Sequence, residues 1–220
     1  MKVLIIAWLA VAVIFIAAIV LSAVLGFVHI ETPSRKAGRL GEEFATGLIR
    51  EILREGDVLF TNVGVFADGK QTELDNVVVN ANGVFIIEVK NLHGTLHGDE
   101  SAHDWMQVSS SSSGLFYQKT IKNPIKQVKR QIYILAKHLE ANGIRLWIGG
   151  YVFFVMGNSP VQSSFVLETQ ADIEAAIHCS RKRKLTRNER EQIIGCLAPP
   201  FGTVRRYGTK RTDHSLASLS

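Results

Sequence analysis

The sequence predicts an α/β fold in which helices flank a central mixed sheet, in the order α-β-β-β-α-β, preceded by one transmembrane helix. Three observations lead to this prediction. Strand and helix periodicities alternate along residues 36–156. A long amphipathic helix stands before the last core strand, which suits a crossover connection to a parallel strand. Residues 3–28 carry no charge and are mostly aliphatic.

The apolar stretch at residues 3–28 is long enough to cross a membrane. As a helix it would extend about 39 Å, more than the ~30 Å hydrocarbon core of a bilayer. It is too long for the apolar region of a signal peptide, and no clear cleavage pattern follows it. A buried core helix would not need to be apolar on every side. The stretch therefore predicts an uncleaved signal anchor over residues 1–29.

The flanking charges predict the orientation of this anchor. Arg35, Lys36 and Arg39 follow the apolar stretch, whereas only Lys2 and the α-amino group precede it. By the positive-inside rule, the globular part lies in the cytoplasm, and the protein is a single-pass protein of the cell membrane. The two cysteines have no ligand-like spacing and require no oxidising compartment.

The first helix of the globular part is predicted over residues 36–55. Its apolar residues recur every four positions, as Leu40, Phe44, Leu48 and Ile52. On a helical wheel Glu42 falls at the edge of this stripe, and Glu43 falls on the polar arc. Glu42 is therefore expected to turn toward the core, while Glu43 faces water.

Strands are predicted next, and Asn82-Gly83 is a strong hairpin signal between two of them. Residues 94–97 are a candidate extension of the sheet. Residues 98–123 show the weakest pattern of the chain. The five-serine run within them, residues 109–113, is predicted to be a mobile loop, and Trp105 is interpreted as a local hydrophobic anchor rather than a base-stacking platform. The predicted strands of this part are residues 58–63, 73–80 and 84–89.

The second half of the chain is predicted to begin with a long helix from Pro124 to Gly143. Thr186 and Glu189 form a capping box that starts a further helix. The remaining predicted elements are strands at 148–156 and 165–167 and a helix at 172–178. The predicted regions are the anchor (1–29), the core domain (30–160), a C-terminal strand and helical extension (161–201) and a basic flexible tail (202–220).

Charged residues interrupt two strands that otherwise read as buried. Strand side chains alternate between faces, so Asp75 shares a face with Val77, and Glu88 and Lys90 share one face of the next strand. Adjacent strands would bring the three charged groups together. Because burying unpaired charge is costly, two carboxylates beside an ammonium indicate a metal site that also positions a water. The alternative is an ion pair of Lys90 with either carboxylate.

A set of residues in fixed order spans residues 36–156. It consists of Gly41-Glu42, Glu73-Leu74-Asp75, the run from Gly83 to Asn91, Gly94, Trp105, Asn123-Pro124 and Gln127. This set resembles the nuclease-related domain, NERD, a branch of the PD-(D/E)XK nuclease superfamily. The usual proline before the first aspartate of that superfamily is replaced by Leu74, whose side chain is expected on the opposite face from Asp75.

The resemblance implies a restriction-endonuclease-like core and metal-dependent phosphodiester hydrolysis. Carried over by position, Asp75 and Glu88 would hold Mg²⁺, with Mn²⁺ as a substitute, and Glu42 would support the metal. Lys90 would orient or activate the water, and Gln127 would be auxiliary. Mg²⁺ retains several waters, so a site with few carboxylates suits it.

The net charge of +5 is partly concentrated near the C-terminus, at residues 181–184. Such a run suits contact with nucleic acid or anionic lipid, or it is a solvated helix face. The same two interpretations apply to three basic residues of the long helix. They contact phosphates, or they form a water-facing surface: Lys126, Lys129 and Arg130. Gln127 and Gln131 lie off the apolar stripe and are expected on a polar helix face. The histidines at 93, 97 and 103 are interpreted either as a metal cluster or, more simply, as solvated loop residues.

Three functions follow. The first is a membrane-anchored, metal-dependent nuclease that acts on DNA at the cytoplasmic face. The second is a protein that binds nucleic acid without cleaving it. The third is an interaction protein at the membrane whose basic tail contacts anionic lipid. The complete set of Asp75, Glu88 and Lys90 favours the first.

Overall fold

The structure is a computed structural model that describes residues 14–17, 32–110, 114–179, 183–198 and 203–206. The chain divides into two compact units, residues 1–37 and 38–220. Residues 14–17 of the first unit are helical. No helix within the described residues is long and apolar enough to cross a membrane. The remainder of the anchor predicted at residues 1–29 lies outside the described residues.

The elements follow the predicted order closely, with several corrections. The helices are α1 (Pro33–Ile52), α2 (Pro124–Ala141), α3 (Gln170–His178) and α4 (Arg187–Leu197). The strands are β1 (Val58–Ala67), β2 (Lys70–Asn80), β3 (Gly83–Lys90), β4 (Thr95–His97), β5 (Asp104–Ser110), β6 (Phe116–Lys122), β7 (Ile148–Phe154), β8 (Val166–Leu167) and β9 (Thr203–Arg206).

The described strands form a central sheet in the order β8-β7-β3-β2-β1-β9. Strands β1, β2 and β3 are successively antiparallel, and the β2–β3 hairpin closes at Asn80 and Gly83. Strand β3 runs parallel to β7, and β7 runs parallel to β8. The mixed sheet, the hairpin and the crossover through α2 are therefore confirmed.

The two faces of the sheet bury different hydrophobic clusters. Val77 and Ile86 pack with Val128 and other apolar residues of α2. Val78, the next residue along β2, packs with Ile49 of α1. Since consecutive strand residues point to opposite faces, α1 and α2 cover opposite sides of the sheet. Helices flank the sheet as predicted.

Near Asp75, the side chains of β2 stop alternating regularly between the two faces of the sheet. The β1–β2 register passes from Thr61–Asn76 to Val63–Leu74, and between these pairs Asn62 has a φ of 54°. Leu74 packs in the same cluster as Val77, three residues further along the strand, so the faces change between these two residues. A left-handed residue changes the course of the ribbon, and side chains beyond it change faces.

Helix α1 packs through a different stripe from the one predicted. Leu40 and Phe44 are 48% and 52% exposed, whereas the next residues along the chain, Gly41 and Ala45, are buried. A Cβ at Gly41 would overlap the side chain of Asn91 just after β3. The helix approaches the sheet so closely that only small residues fit, and this close packing places Glu42 beside the end of β3.

Residues 98–123, whose pattern predicts no element, contain two strands, and the first of them includes Ser109 and Ser110 of the serine run that is predicted to be a mobile loop. Strands β4, β5 and β6 form a second, antiparallel sheet, and residues 111–113 of the serine run lie outside the described residues. Trp105 is buried, stacks on Phe154 with ring centroids 6.1 Å apart, and donates its indole N–H to the Asp99 carbonyl at 2.8 Å. Trp105 is thus the local anchor that was predicted.

The C-terminal region keeps its predicted helices and adds a strand. The capping box of Thr186 and Glu189 begins α4. Arg183 pairs with Glu189, and Lys184 donates to the Asn82 side chain at 2.7 Å, so part of the basic run is tied to the domain. Strand β9 pairs with β1 within the stretch predicted to be a flexible tail at 202–220. The rest of that stretch lies outside the described residues.

Candidate active site

Asp75 and Glu88 lie where β2 and β3 separate. The β2–β3 ladder extends to the pair Asn76–Ile87, and Asp75 and Glu88 are the next residues on each strand. The Asp75 carboxylate accepts a hydrogen bond from the Val89 backbone N–H at 2.7 Å. The separation of the strands opens room for both carboxylates at one end of the sheet.

Glu88 is 3% exposed, and its carboxylate accepts three side-chain hydrogen bonds. Its Oε1 accepts from Lys90 Nζ and from Gln127 Nε2, both at 2.5 Å. Its Oε2 accepts from Gln131 Nε2 at 2.6 Å. Because Lys90 follows Glu88 on the same face of β3 and the two glutamines lie one helical turn apart on α2, these donors hold the carboxylate in a fixed orientation.

The ion pair considered as the alternative to a metal site exists between Lys90 and Glu88. It joins one carboxylate and one ammonium, and it leaves Asp75 and Glu42 without a full positive charge of their own. The pair therefore accounts for Glu88 and Lys90 but not for the other two carboxylates of the site.

Burial raises the pKa of Asp75 to about 7. Desolvation is the main cause, and the negative charge of Glu88 adds to it. The Val89 N–H and the Lys90 ammonium act in the opposite direction but are weaker. The ionised form of Asp75 is thus poorly compensated by the protein alone, which is the condition that a bound cation relieves.

Glu42 reaches the same region from α1. It is partly buried, and its pKa is raised by burial and by the charges of Glu73 and Glu88, with Lys90 opposing. Glu43 is exposed and pairs with Arg39 at 2.8 Å. The predicted orientations of Glu42 and Glu43 are confirmed.

The donor chemistry at this site fits a hard divalent cation. Glu42, Asp75 and Glu88 supply carboxylate oxygens, and Lys90 is the cation that lowers the pKa of both Glu42 and Asp75 among the described residues. Within the described residues, no three His, Cys, Asp or Glu side chains form a group that could hold a metal ion. Glu42 thus does not complete a closed three-carboxylate cage, but Mg²⁺ is often held by one or two carboxylates and water.

Gln131 is a residue whose position the sequence did not reveal. It was expected on a polar helix face, yet its side chain is fully buried and donates to Glu88 and to the Glu73 carbonyl at 3.1 Å. The signal was present in its spacing of four residues from Gln127, which puts both amides on one side of α2. A buried Thr46–Asn76 hydrogen bond of 2.8 Å also lies near this end of the sheet and was not anticipated.

The histidines at 93, 97 and 103 are exposed. No metal-binding group of three includes any of them in the part of the chain that the structure describes. His97 is the last residue of β4 rather than part of a loop, so the prediction of loop residues is wrong for His97, while all three side chains face solvent.

A family model for the nuclease-related domain matches residues 37–155, more than half of the chain. The chain belongs to the NERD family. This family is a branch of the PD-(D/E)XK nuclease superfamily, and membership supports a nuclease-like function and a nucleic-acid substrate.

One relative is an uncharacterized protein of Bacillus anthracis, 31% identical over 97 residues. The match covers 43% of this chain and 43% of the relative, so the NERD chain described here spans less than half the length of that protein. No solved structure gives a significant match to the chain.

Proposed function

We propose that this NERD protein is a membrane-anchored, metal-dependent phosphodiester hydrolase that acts on DNA at the cytoplasmic face. The observation that carries the proposal is the pair of carboxylates, Asp75 and Glu88, at the point where the pairing of β2 and β3 ends, with Lys90 beside Glu88. The pKa of Asp75, raised to about 7 by burial and by the charge of Glu88, supports a functional role, because such shifts concentrate at functional sites.

Asp75 and Glu88 would hold Mg²⁺, or Mn²⁺ in its place, and Glu42 would support it from α1. The bound ion would lower the pKa of a water and offset charge on the phosphate. Gln127 and Gln131 fix the Glu88 carboxylate, so its orientation does not depend on the substrate. Such preorganisation lowers the cost of assembling the site when the phosphate arrives.

Lys90 is well situated to serve the attacking water. Its ammonium lies 2.5 Å from Glu88 Oε1, and its side chain is 22% exposed, so Lys90 contacts one carboxylate and also reaches the open side of the site. From that position it can donate a hydrogen bond to a water or to a phosphate oxygen. A group that stabilises charge developing on the phosphate accelerates hydrolysis more than one that only binds the substrate.

The proposed location rests on residues 3–28 and on Arg35, Lys36 and Arg39. An apolar anchor followed by these cations would hold the catalytic unit next to the cytoplasmic leaflet. The basic residues near the C-terminus would contact anionic lipid there. Alkaline phosphatase activity from a fusion after Ser220, without fluorescence from a green protein at the same position, would contradict this orientation.

Plasmid cleavage by the full-length protein in mild detergent tests the proposed reaction. Cleavage is expected with Mg²⁺ or Mn²⁺ and should disappear when EDTA is added. Absence of cleavage with both ions, together with salt-sensitive nucleic-acid binding, would replace hydrolysis with the second function.

That second function is a non-catalytic nucleic-acid-binding or membrane-associated interaction protein on the same fold. One observation favours it: both oxygens of Glu88 are already engaged by Lys90, Gln127 and Gln131. A metal at this site would have to share Glu88 with these donors. If no metal shares Glu88 in this way, the cluster is a structural network, and the protein binds nucleic acid without cleaving it.

A further inference from the structure

Two adjoining cavities lie beside the candidate active site, between the second sheet and the start of α2. One has a volume of about 350 Å³ and is lined by residues that include Lys122, Lys126 and Arg130. The other has a volume of about 310 Å³ and is lined by residues that include Lys90 and Lys119. Because Lys122 and Gln127 line both, the cavities form one continuous groove, here called the hairpin groove.

The hairpin groove is cationic throughout its length. Among the described residues that line it, five are lysine or arginine and none is aspartate or glutamate. Lys122 is also paired with Asp104 at 3.0 Å but remains 74% exposed. Arg130 is held toward β2 by a 3.2 Å hydrogen bond to the Gln71 carbonyl. A concave surface lined by positive charges concentrates the electric field and attracts an extended polyanion.

The groove ends at the candidate active site. Lys90 and Gln127 line it, and both donate to the Glu88 carboxylate. A phosphate chain lying on Lys119 and Lys122 would therefore run toward the carboxylate cluster. This continuity distinguishes the groove from an ordinary solvated basic surface.

Strand β6 presents an aromatic residue along the groove. Tyr117, Lys119 and Ile121 share one face of β6 because strand side chains alternate. Ile121 packs against the core, and Lys119 lines the cavity that reaches Lys90, so the face that carries Tyr117 is turned toward the candidate active site. Thr120 and Lys122 of the other face also line the groove. Tyr117 is 56% exposed and lies about 7 Å beyond Lys119 along the strand. Phe116, 81% exposed, lies on the opposite face.

We propose that the hairpin groove binds a single strand of nucleic acid, with its phosphates on Lys119, Lys122 and Lys126 and an unpaired base stacked on Tyr117. A duplex hides the faces of its bases, whereas a single strand offers them to an aromatic side chain. The inference rests on the proposed function because it takes nucleic acid as the substrate. It adds that the substrate enters the site as an unpaired strand.

Fluorescence anisotropy with the full-length protein in detergent tests this inference, with EDTA present to prevent cleavage. The probes are labelled thymidine and uridine homo-oligonucleotides and a blunt DNA duplex of the same length. At least one single strand is expected to bind more tightly than the duplex. Tyr117→Ala should weaken that binding roughly 5- to 150-fold, which is the range for loss of one stacked base. Tyr117→Phe keeps the ring and should retain wild-type affinity.

Phe116→Ala is the matched control, since it removes a more exposed ring from the other face of the same strand. It should leave affinity unchanged. The double variant Lys119→Ala/Lys126→Ala should reduce the slope of log affinity against log salt by roughly 0.7 for each phosphate that the protein no longer neutralises. Melting curves of the variants verify that each one folds.

Equal affinity for duplex and single strands would overturn the inference, as would equal effects of the two alanine substitutions at 116 and 117. An unchanged salt slope in the double lysine variant would also overturn it. The outcome is separable from that of the proposed function. If single-strand binding behaves as described but no metal restores cleavage, hydrolysis fails and the binding assignment stands.

Discussion

The buried end of the central sheet and the hairpin groove beside it are opposite in charge and in burial. The sheet end gathers Glu42, Asp75 and Glu88 around a single lysine, partly or wholly out of water. The groove gathers cations on exposed side chains of β6 and α2. The carboxylates of the proposed chemistry and most cations of the groove are different residues, with Lys90 and Gln127 shared between them, so mutations of the unshared residues can separate cleavage from binding.

The largest expected effect comes from Asp75→Asn. The substitution keeps the shape but removes a charge, and cleavage should fall more than about a hundredfold, because even residues that only support metal ligands cost roughly 10–100-fold. Nucleic-acid binding should persist, since phosphate contacts elsewhere supply most of the affinity. Cleavage rates and anisotropy on one preparation measure both.

The matched control is Asp68→Asn, an exposed aspartate at the turn between β1 and β2 with a φ of 50° that asparagine tolerates. It should leave both quantities unchanged. Metal-dependent cleavage that survives Asp75→Asn would show that the site has been assigned to the wrong residues.

Gln131→Leu should have the next largest effect. It removes the donor to Glu88 Oε2 and leaves a buried carboxylate oxygen unpaired, at a cost of about 1–3 kcal/mol in the free energy of unfolding. Activity should fall roughly 10–100-fold, as for other residues that orient a metal ligand. Urea denaturation and cleavage assays measure the two effects, with Gln162→Leu on an exposed glutamine as the control. An equal loss in both variants would contradict the assigned role of Gln131.

Glu42 and Glu43 are neighbours on α1 and provide an internal comparison. Glu42→Gln should lower cleavage by roughly tenfold, because it removes a supporting charge without removing a principal ligand. Glu43→Gln removes an exposed charge paired with Arg39 and should change neither activity nor stability measurably. The reverse order of effects in cleavage assays would mean that Glu43, not Glu42, belongs to the site.

A separate expected effect, which needs no substrate, is a dependence of the free energy of unfolding on pH. Asp75 binds its proton more tightly in the folded state, with a pKa of about 7 against an ordinary value of 3.8. The folded state then holds more protons than the unfolded state between these values, so stability should fall as the pH rises through that window. Without metal, the melting temperature of the wild type should drop relative to Asp75→Asn across it. Parallel curves for the two proteins would contradict the raised pKa.

The sequence predicted the parts of the site that lie on regular strands. The period of two placed Glu88 and Lys90 on one face, and the hairpin brought Asp75 to the adjacent strand. The helical wheel distinguished Glu42 from Glu43. These inferences succeed because they depend on local periodicity, which the site end of the sheet largely retains.

Other features depend on contacts between distant segments and could not be inferred in this way. Helix α1 buries Gly41 and Ala45 rather than Leu40 and Phe44, because close packing against Asn91 determines its rotation. The strands of the second sheet are too polar to show a buried face. Gln131 has a polar side chain, and its burial is explained by its hydrogen bond to Glu88, the buried residue on β3.

The central claim is that the carboxylates at the sheet end form one anionic site completed by a divalent cation. The most direct test is the melting temperature of the full-length protein with and without millimolar Mg²⁺ or Mn²⁺, compared between the wild type and Asp75→Asn. A ligand that binds only the folded state raises its stability. A metal-dependent increase in melting temperature is expected in the wild type and should be lost in Asp75→Asn. An equal increase in both proteins, or none in either, would contradict it.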